Sequence, residues 1–252
     1  MNTEVNAKAN AKANAKAYGM RAEPQAAVAY HGQLASDWDQ RYQKHSFKVR
    51  QAVLAECLES HDLAGTNWLD AGCGTGTLSR LLAERGCSVL GVDAALEMVE
   101  NARQLAEAGN QSIRLKFESV ETIAQLPLGR DSCDGILCSS VLEYVSDVDT
   151  CLKEFARVVR PGGLLLVSVP NRHSIVRLMQ AGCHRLGKWL GQNWIAFMDY
   201  SRNQYSADQF ERQLAASGFR SERVVAFGSP LPAWAQRHRY GGSLLMFVAR
   251  KI

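Results

Sequence analysis

Apolar and polar positions along residues 66 to 250 follow two periods. Short apolar runs bounded by glycine, proline or aspartate predict strands near 66 to 70, 88 to 93, 113 to 118, 133 to 139, 163 to 170, 220 to 227 and 243 to 250. Between them, apolar residues at three- and four-residue spacing predict helices near 75 to 85, 95 to 108, 147 to 158 and 206 to 217. Strands alternating with helices predict an α/β chain, a doubly wound seven-stranded and mostly parallel sheet. The last two strands have no long helix between them, which predicts an antiparallel hairpin at one edge.

Two segments stand outside that alternation. Before the first strand, helices are predicted near 26 to 37 and 48 to 60, the second with Val49, Ala52, Val53 and Leu58 on its buried side. The aromatics Tyr30, Trp38, Tyr42 and Phe47 punctuate this region and either line a pocket beneath a lid or pack on the sheet. After strand five, residues 171 to 204 form an insertion with Ile175, Leu178, Met179, Leu186, Trp189 and Leu190 at helical spacing and Arg177, Arg185 and Lys188 on other positions. Such a basic amphipathic segment predicts a cap helix packed over the pocket. Contact with a membrane surface is the lesser alternative, and failure to float with anionic vesicles would end it.

Length and composition narrow the class. The 252 residues, 46% of them hydrophobic, suffice for one large core. Residues 6 to 17 repeat Asn-Ala-Lys-Ala three times without an apolar face, so residues 1 to 20 read as a low-complexity tail and 21 to 252 as one domain. Seven cysteines without a paired framework point to a reducing, cytoplasmic setting. No apolar run has the length of a signal or membrane-spanning segment. The net charge of +4 is modest and does not call for nucleic acid.

Chemistry concentrates at residues 66 to 79, where an apolar strand reaches Asp70 and enters a turn with glycines at 72, 74 and 76. Glycine lets backbone and a helix N-terminus approach a ligand closely. About 20 residues on, Val89 to Asp93 supplies a second strand ending in a carboxylate, placed to accept hydrogen bonds from ribose hydroxyls. Thr77 stands where a dinucleotide fingerprint needs its third glycine. Asp70 would repel a pyrophosphate and favour a cation. The site therefore suits a cofactor with a ribose, a positive charge and no phosphate. Cys73 in the turn reads as a small residue rather than a nucleophile.

Leu69-Asp70-Ala71-Gly72-Cys73-Gly74-Thr75-Gly76 resembles motif I of the class I S-adenosylmethionine-dependent methyltransferases. Gly91 to Met98, Leu126-Pro127-Leu128 before Cys133 to Cys138, Val141 to Val145, and Arg160 to Ser168 resemble the family's later motifs in order. The look is nearest to ubiquinone-biosynthesis-type O-methyltransferases and their small-molecule relatives. The resemblance implies a Rossmann-like methyltransferase fold with S-adenosylmethionine as cofactor. It also implies cofactor contacts at Arg50, Asp70, Gly72, Gly74, Gly76, Asp93, Ala94, Ser119 and Ser139. Arg50 would pair the methionyl carboxylate, and Met98 and Val120 either flank adenine or serve the core. Asp70, Asp93, Ser119 and Ser139 are expected to converge on one crevice beyond the carboxyl ends of the strands.

Eukaryotic members of that subgroup show a metal-binding Glu-x-x-Glu-His after strand four, whereas this chain has Ser140, Glu143 and Tyr144. One carboxylate is too few for a hard divalent cation, so no metal is expected, and Glu143 is expected to cap or position the next helix. His173, His184 and His31 are candidate bases, because histidine titrates near neutrality. The reading is transfer of a methyl group to oxygen, and less so nitrogen, of a small aromatic or partly apolar metabolite by a monomer or homodimer. A non-catalytic cofactor-binding module is the alternative. A nucleic-acid methyltransferase is disfavoured, since Cys138-Ser139-Ser140-Val141 carries neither motif of that class.

Overall fold

A computed structural model describes residues 24–35, 45–111, 113–228, 231–238 and 240–252. The Asn-Ala-Lys-Ala repeats, Trp38 and Tyr42 lie outside these residues, and only the backbone is described at Phe47. Helices α1 (Pro24–Gly32) and α2 (His45–Leu58) precede the first strand. There follow β1 (Asn67–Ala71), α3 (Thr77–Glu84), β2 (Ser88–Asp93), α4 (Leu96–Ala108), β3 (Leu115–Ser119), β4 (Cys133–Ser139), α5 (Val148–Val158) and β5 (Val159–Pro170). The insertion holds α6 (Ile175–Trp189) and a 3₁₀ turn, Ala196–Asp199. The chain closes with α7 (Ala207–Ala216), β6 (Phe219–Phe227), the short α8 (Ala233–Gln236) and β7 (Leu244–Lys251).

The strands form one seven-stranded sheet in the order β3-β2-β1-β4-β5-β7-β6. Strands β1 to β5 pair in parallel, and β7 lies antiparallel to both β5 and β6. Because successive strand residues face opposite sides, each strand feeds two cores. Leu69, Ile136, Leu165 and Val167 join Phe155, Phe210 and Leu214 on one face. Trp68, Leu137, Leu164 and Leu166 join Leu54, Leu58, Leu78 and Leu82 on the other. A continuous apolar run such as β5 follows from burial on both sides.

Local differences from the sequence expectations have identifiable causes. Strand β5 starts at Val159 rather than 163, because Val159 pairs with Cys133 before the register shifts between Cys133 and Gly135. Ala52 is exposed, and Leu54 and Cys57 take the buried side of α2 with Val53 and Leu58. Asp147, not Glu143, caps α5, its carboxylate accepting the Thr150 N–H at 3.0 Å.

The largest difference lies in α6, where the stripe expected to pack over the pocket faces outward. Leu178 is 75% exposed and Trp189 81%, and Ile175, Met179, Leu186 and Leu190 are exposed as well. Arg177, only 5% exposed, and Gly187 are the buried positions of the helix. Two constraints set this orientation. Arg177 reaches a buried carboxylate, and the helix closes on the chain beyond it at Gly187, where a Cβ would stand 3.1 Å from the Gln192 carbonyl oxygen. The Ser174 hydroxyl caps the N-terminus by accepting the Arg177 N–H, and the Ile175 N–H donates to the Tyr240 carbonyl.

Candidate active site

Strand order reverses between β1 and β4, and a crevice opens there beyond the carboxyl ends of the strands. It holds a cavity of about 490 Å³. On the β1 side the wall is backbone. Gly72 has φ +79, and a Cβ there would lie 2.2 Å from Cγ2 of Val141, so only glycine lets the turn pass beneath the β4 loop. The Gly74 N–H donates to Oδ2 of Asp93 at 2.9 Å and the Ala95 N–H to Oδ1 at 2.9 Å. These bonds orient the carboxylate at the end of β2, and each oxygen retains a lone pair for a ligand hydroxyl. Burial pushes the Asp93 carboxyl upward, opposed by the hydrogen bonds from the Ala95 and Gly74 N–H groups.

Arg50, Gly72, Gly74, Asp93, Ala94, Met98 and Ser139 all line this cavity. Asp70, Gly76, Ser119 and Val120 do not, and packing explains each. Asp70 is buried under the turn, accepting the Ser79 hydroxyl at 2.6 Å. Burial lifts its carboxyl to about 7, with the Ser79 bond opposing and the Asp93 charge adding. Gly76 serves helix packing, since a Cβ there would meet the Phe117 ring at 2.6 Å. Ser119 ends β3 in its ladder with Asp93, and Val120 packs on the core. Glu121, Thr122 and Ile123, just beyond, reach the cavity instead. The expected convergence therefore holds for Asp93 and Ser139 only. Burial raises the Cys73 thiol well above its usual range, which makes it a poor nucleophile.

The opposite wall is made of side chains. Ser140 after β4 has φ 60, a strained value for a residue with a side chain, and its N–H donates to the Ser168 hydroxyl at 2.9 Å. The turn presents Glu143 and Tyr144 to the cavity, joined by Tyr30 and His31 from α1 and Arg177, Gln180 and Phe197 from the insertion. His31 is the one of the three candidate bases that lines the cavity. Its Nδ1 lies 2.8 Å from the Ala27 carbonyl, its ring meets the Tyr144 ring edge-on at 4.9 Å, and Tyr30 stacks on Tyr200 at 4.9 Å. Burial holds the Tyr144 hydroxyl well above its usual range, so it stays a neutral phenol. His173 is exposed on the α6 approach, and His184 is tied to Asp199 at 3.1 Å.

Glu143 and Arg177 form an ion pair at 3.0 Å with both side chains 5% exposed, and the Ser201 hydroxyl donates to the same carboxylate oxygen at 2.9 Å. Among the described residues no group of three or more His, Cys, Asp or Glu side chains is placed to hold a metal ion. The sequence draws attention to Arg177 only as part of a basic cluster. Its spacing with Gln180 and His184, at three and seven residues, is the signal that a second, polar face of the helix turns inward.

A family profile described as "Methyltransferase domain" matches residues 69–167. A ubiquinone biosynthesis O-methyltransferase from a Chelativorans species is 33% identical over 219 residues, 82% of this chain and 84% of that protein. One from Sinorhizobium fredii is 32% identical over 174 residues, 67% of this chain and 66% of that protein, and one from Xanthomonas oryzae is matched over 56% of its length. Those two relatives are thus matched over less than two thirds of their own length. The structure of a magnesium protoporphyrin IX methyltransferase from Synechocystis superposes with a TM-score of 0.65 at 20% identity, covering 86% of this chain and 94% of that one, and shares the fold. With the glycine turn, the carboxylate closing β2 and the 3-2-1-4-5-7-6 sheet in place, the chain belongs to the class I S-adenosylmethionine-dependent methyltransferases.

Proposed function

We propose that the protein methylates an oxygen of a small aromatic or partly apolar metabolite, using S-adenosylmethionine. The observation that carries this reading is the continuity of one cavity from the Gly72–Gly74 turn and Asp93 to the ring pair His31–Tyr144. The bare backbone at Gly72 and the doubly anchored Asp93 carboxylate fit a nucleoside with ribose hydroxyls. Met98 and Ala94 offer apolar contact to a base, and Arg50 can pair an α-carboxylate in a planar fork. When bound, S-adenosylmethionine supplies a methyl group carried on a positively charged sulfur.

The chain's own residues have three tasks. The cavity walls hold the acceptor and exclude water, so that much of the barrier is met by orientation. The aromatic rings of Tyr30, Tyr144 and Phe197 favour a flat, partly apolar acceptor. His31 accepts the acceptor's proton, its Nδ1 held against the Ala27 carbonyl so that Nε2 is the basic nitrogen. The names of the relatives cited above, ubiquinone biosynthesis O-methyltransferases, support oxygen over nitrogen.

The test is formation of S-adenosylhomocysteine from S-adenosylmethionine over a panel of phenols, catechols and aromatic amines. Turnover of at least one phenolic oxygen is expected, and turnover of amines alone would replace the reading by N-methylation. His31→Ala is expected to lower kcat by roughly 10²–10⁴-fold at unchanged S-adenosylhomocysteine affinity. His173→Ala and His184→Ala are expected to retain the parent rate.

A further inference from the structure

Arg177 is a buried cation with too few partners. Of its five N–H donors, Nη2 donates to Glu143 at 3.0 Å and Nη1 points at the Met198 sulfur at 3.5 Å, a weak acceptor. The Nε–H is buried and has no partner among the described residues. One turn along the same helix, the buried Oε1 of Gln180 also lacks one among those residues. Both residues line the cavity, and the Phe197 ring covers the guanidinium at 5.5 Å. A buried donor and a buried acceptor on residues lining one cavity cost about 1–3 kcal/mol each when left unsatisfied, unless a ligand completes them.

The pair also occupies a telling position. Glu143 is the one carboxylate remaining at the turn after β4, and the charge held against it is a guanidinium. We propose that Arg177, anchored by Glu143, hydrogen-bonds the acceptor oxygen through its guanidinium and stabilises that oxygen as an anion, making Arg177 a catalytic residue and the protein's fixed substitute for a metal cation. The inference rests on the oxygen-methylation reading above.

The energetic need is plain. A phenol with a pKa near 10 is only ~0.1% ionised at pH 7, and its neutral oxygen is a weak nucleophile. A positive charge in a site walled from water is felt far more strongly than in bulk. A charge-assisted N–H···O⁻ bond adds direction to that field. The proton leaves to His31, and the oxyanion stays on the acceptor beside Arg177. Gln180 Oε1 accepts from a neighbouring hydroxyl on the same ring.

The experiment uses 4-nitrocatechol, whose colour reports its ionisation, bound to protein saturated with S-adenosylhomocysteine and titrated with pH in the presence of EDTA. Bound to the parent protein, the probe is expected to ionise at least one pH unit below the free probe, a tenfold change in its ionisation constant. Arg177→Met is expected to abolish that shift while S-adenosylhomocysteine affinity, read by calorimetry, stays within about twofold. Glu143→Gln provides an independent sign test that does not need Arg177→Met to fold. With the counter-charge removed, the probe is expected to ionise at a still lower pH.

An unshifted bound probe, a shift that survives in Arg177→Met, a Glu143→Gln shift in the opposite direction, or no probe binding would each overturn the inference. Parent protein that binds S-adenosylhomocysteine but fails the probe test loses only the role of Arg177. Protein that does not bind S-adenosylhomocysteine loses the proposed function itself.

Discussion

The two walls of the cavity are built by different means. The β1–β2 wall is backbone geometry: a positive-φ glycine, an amide aimed at a carboxylate, and a carboxylate fixed at a strand end within 19 residues of that amide. The facing wall is an assembly of side chains from α1, the turn after β4 and the insertion, with Glu143 and Arg177 meeting across 34 residues. A backbone wall tolerates almost no change at its glycine but leaves the rest of the fold free to vary. A side-chain wall can be rewritten one residue at a time.

Gly72→Val probes the first wall and carries the largest expected effect on ligand affinity. The branched side chain collides with Val141 and forces a left-handed backbone on a β-branched residue. S-adenosylhomocysteine affinity measured by calorimetry is expected to fall by at least about 100-fold, ~2.8 kcal/mol. Affinity near the parent value would mean that the turn does not face the ligand.

Glu143→Ala probes the second wall. It leaves Arg177 buried without its counter-charge, and chemical denaturation should show a loss of about 3–5 kcal/mol. Replacing both partners by apolar residues, Glu143→Leu with Arg177→Met, is expected to recover most of that stability while losing activity. If the single and double variants were equally destabilised, the ion pair would be acting through packing alone.

Asp70 sharpens the contrast from beneath the backbone wall. Burial raises its folded pKa to about 7, above that of the unfolded chain. The folded state therefore holds its proton more tightly, and the resulting stabilisation is complete below about pH 4 and lost as pH rises towards 7. Asp70→Asn, which keeps an acceptor for Ser79, is expected to flatten the fall in stability over that window. Parallel pH profiles for parent and variant would show that Asp70 is ionised throughout.

The smallest effect is expected on the outer face of α6. Leu178→Ser should change stability by no more than about 0.5 kcal/mol, because the side chain already meets solvent. Leu137→Ala, in the fully buried centre of the sheet, is expected to cost about 2–5 kcal/mol in the same denaturation assay. A large Leu178→Ser effect would mean that the stripe is covered in solution.

The same contrast separates what could be read from sequence from what could not. The strands, the order of the helices and the turn at Gly72 and Gly74 leading to the Asp93 strand end are legible in the residue pattern, because they depend on short stretches of chain. Asp70 and Gly76 look equivalent to those residues in a one-dimensional motif. Only the third dimension shows that one reaches Ser79 and the other Phe117. For α6, periodicity reveals that two faces differ but not which one turns inward. Burial of Arg177 is decided by Glu143, Ser201 and Phe197, far away or in irregular structure. His31 stands out from His173 and His184 only once α1 is laid beside the cavity.

Calorimetric titration of S-adenosylhomocysteine into Asp93→Ala and Arg177→Met, beside the parent protein, tests the division of the cavity most directly. If one wall serves the nucleoside and the other the acceptor, Asp93→Ala loses affinity by at least about 30-fold and Arg177→Met changes it by less than about twofold. Equal losses in the two variants, or a larger loss in Arg177→Met, would contradict it.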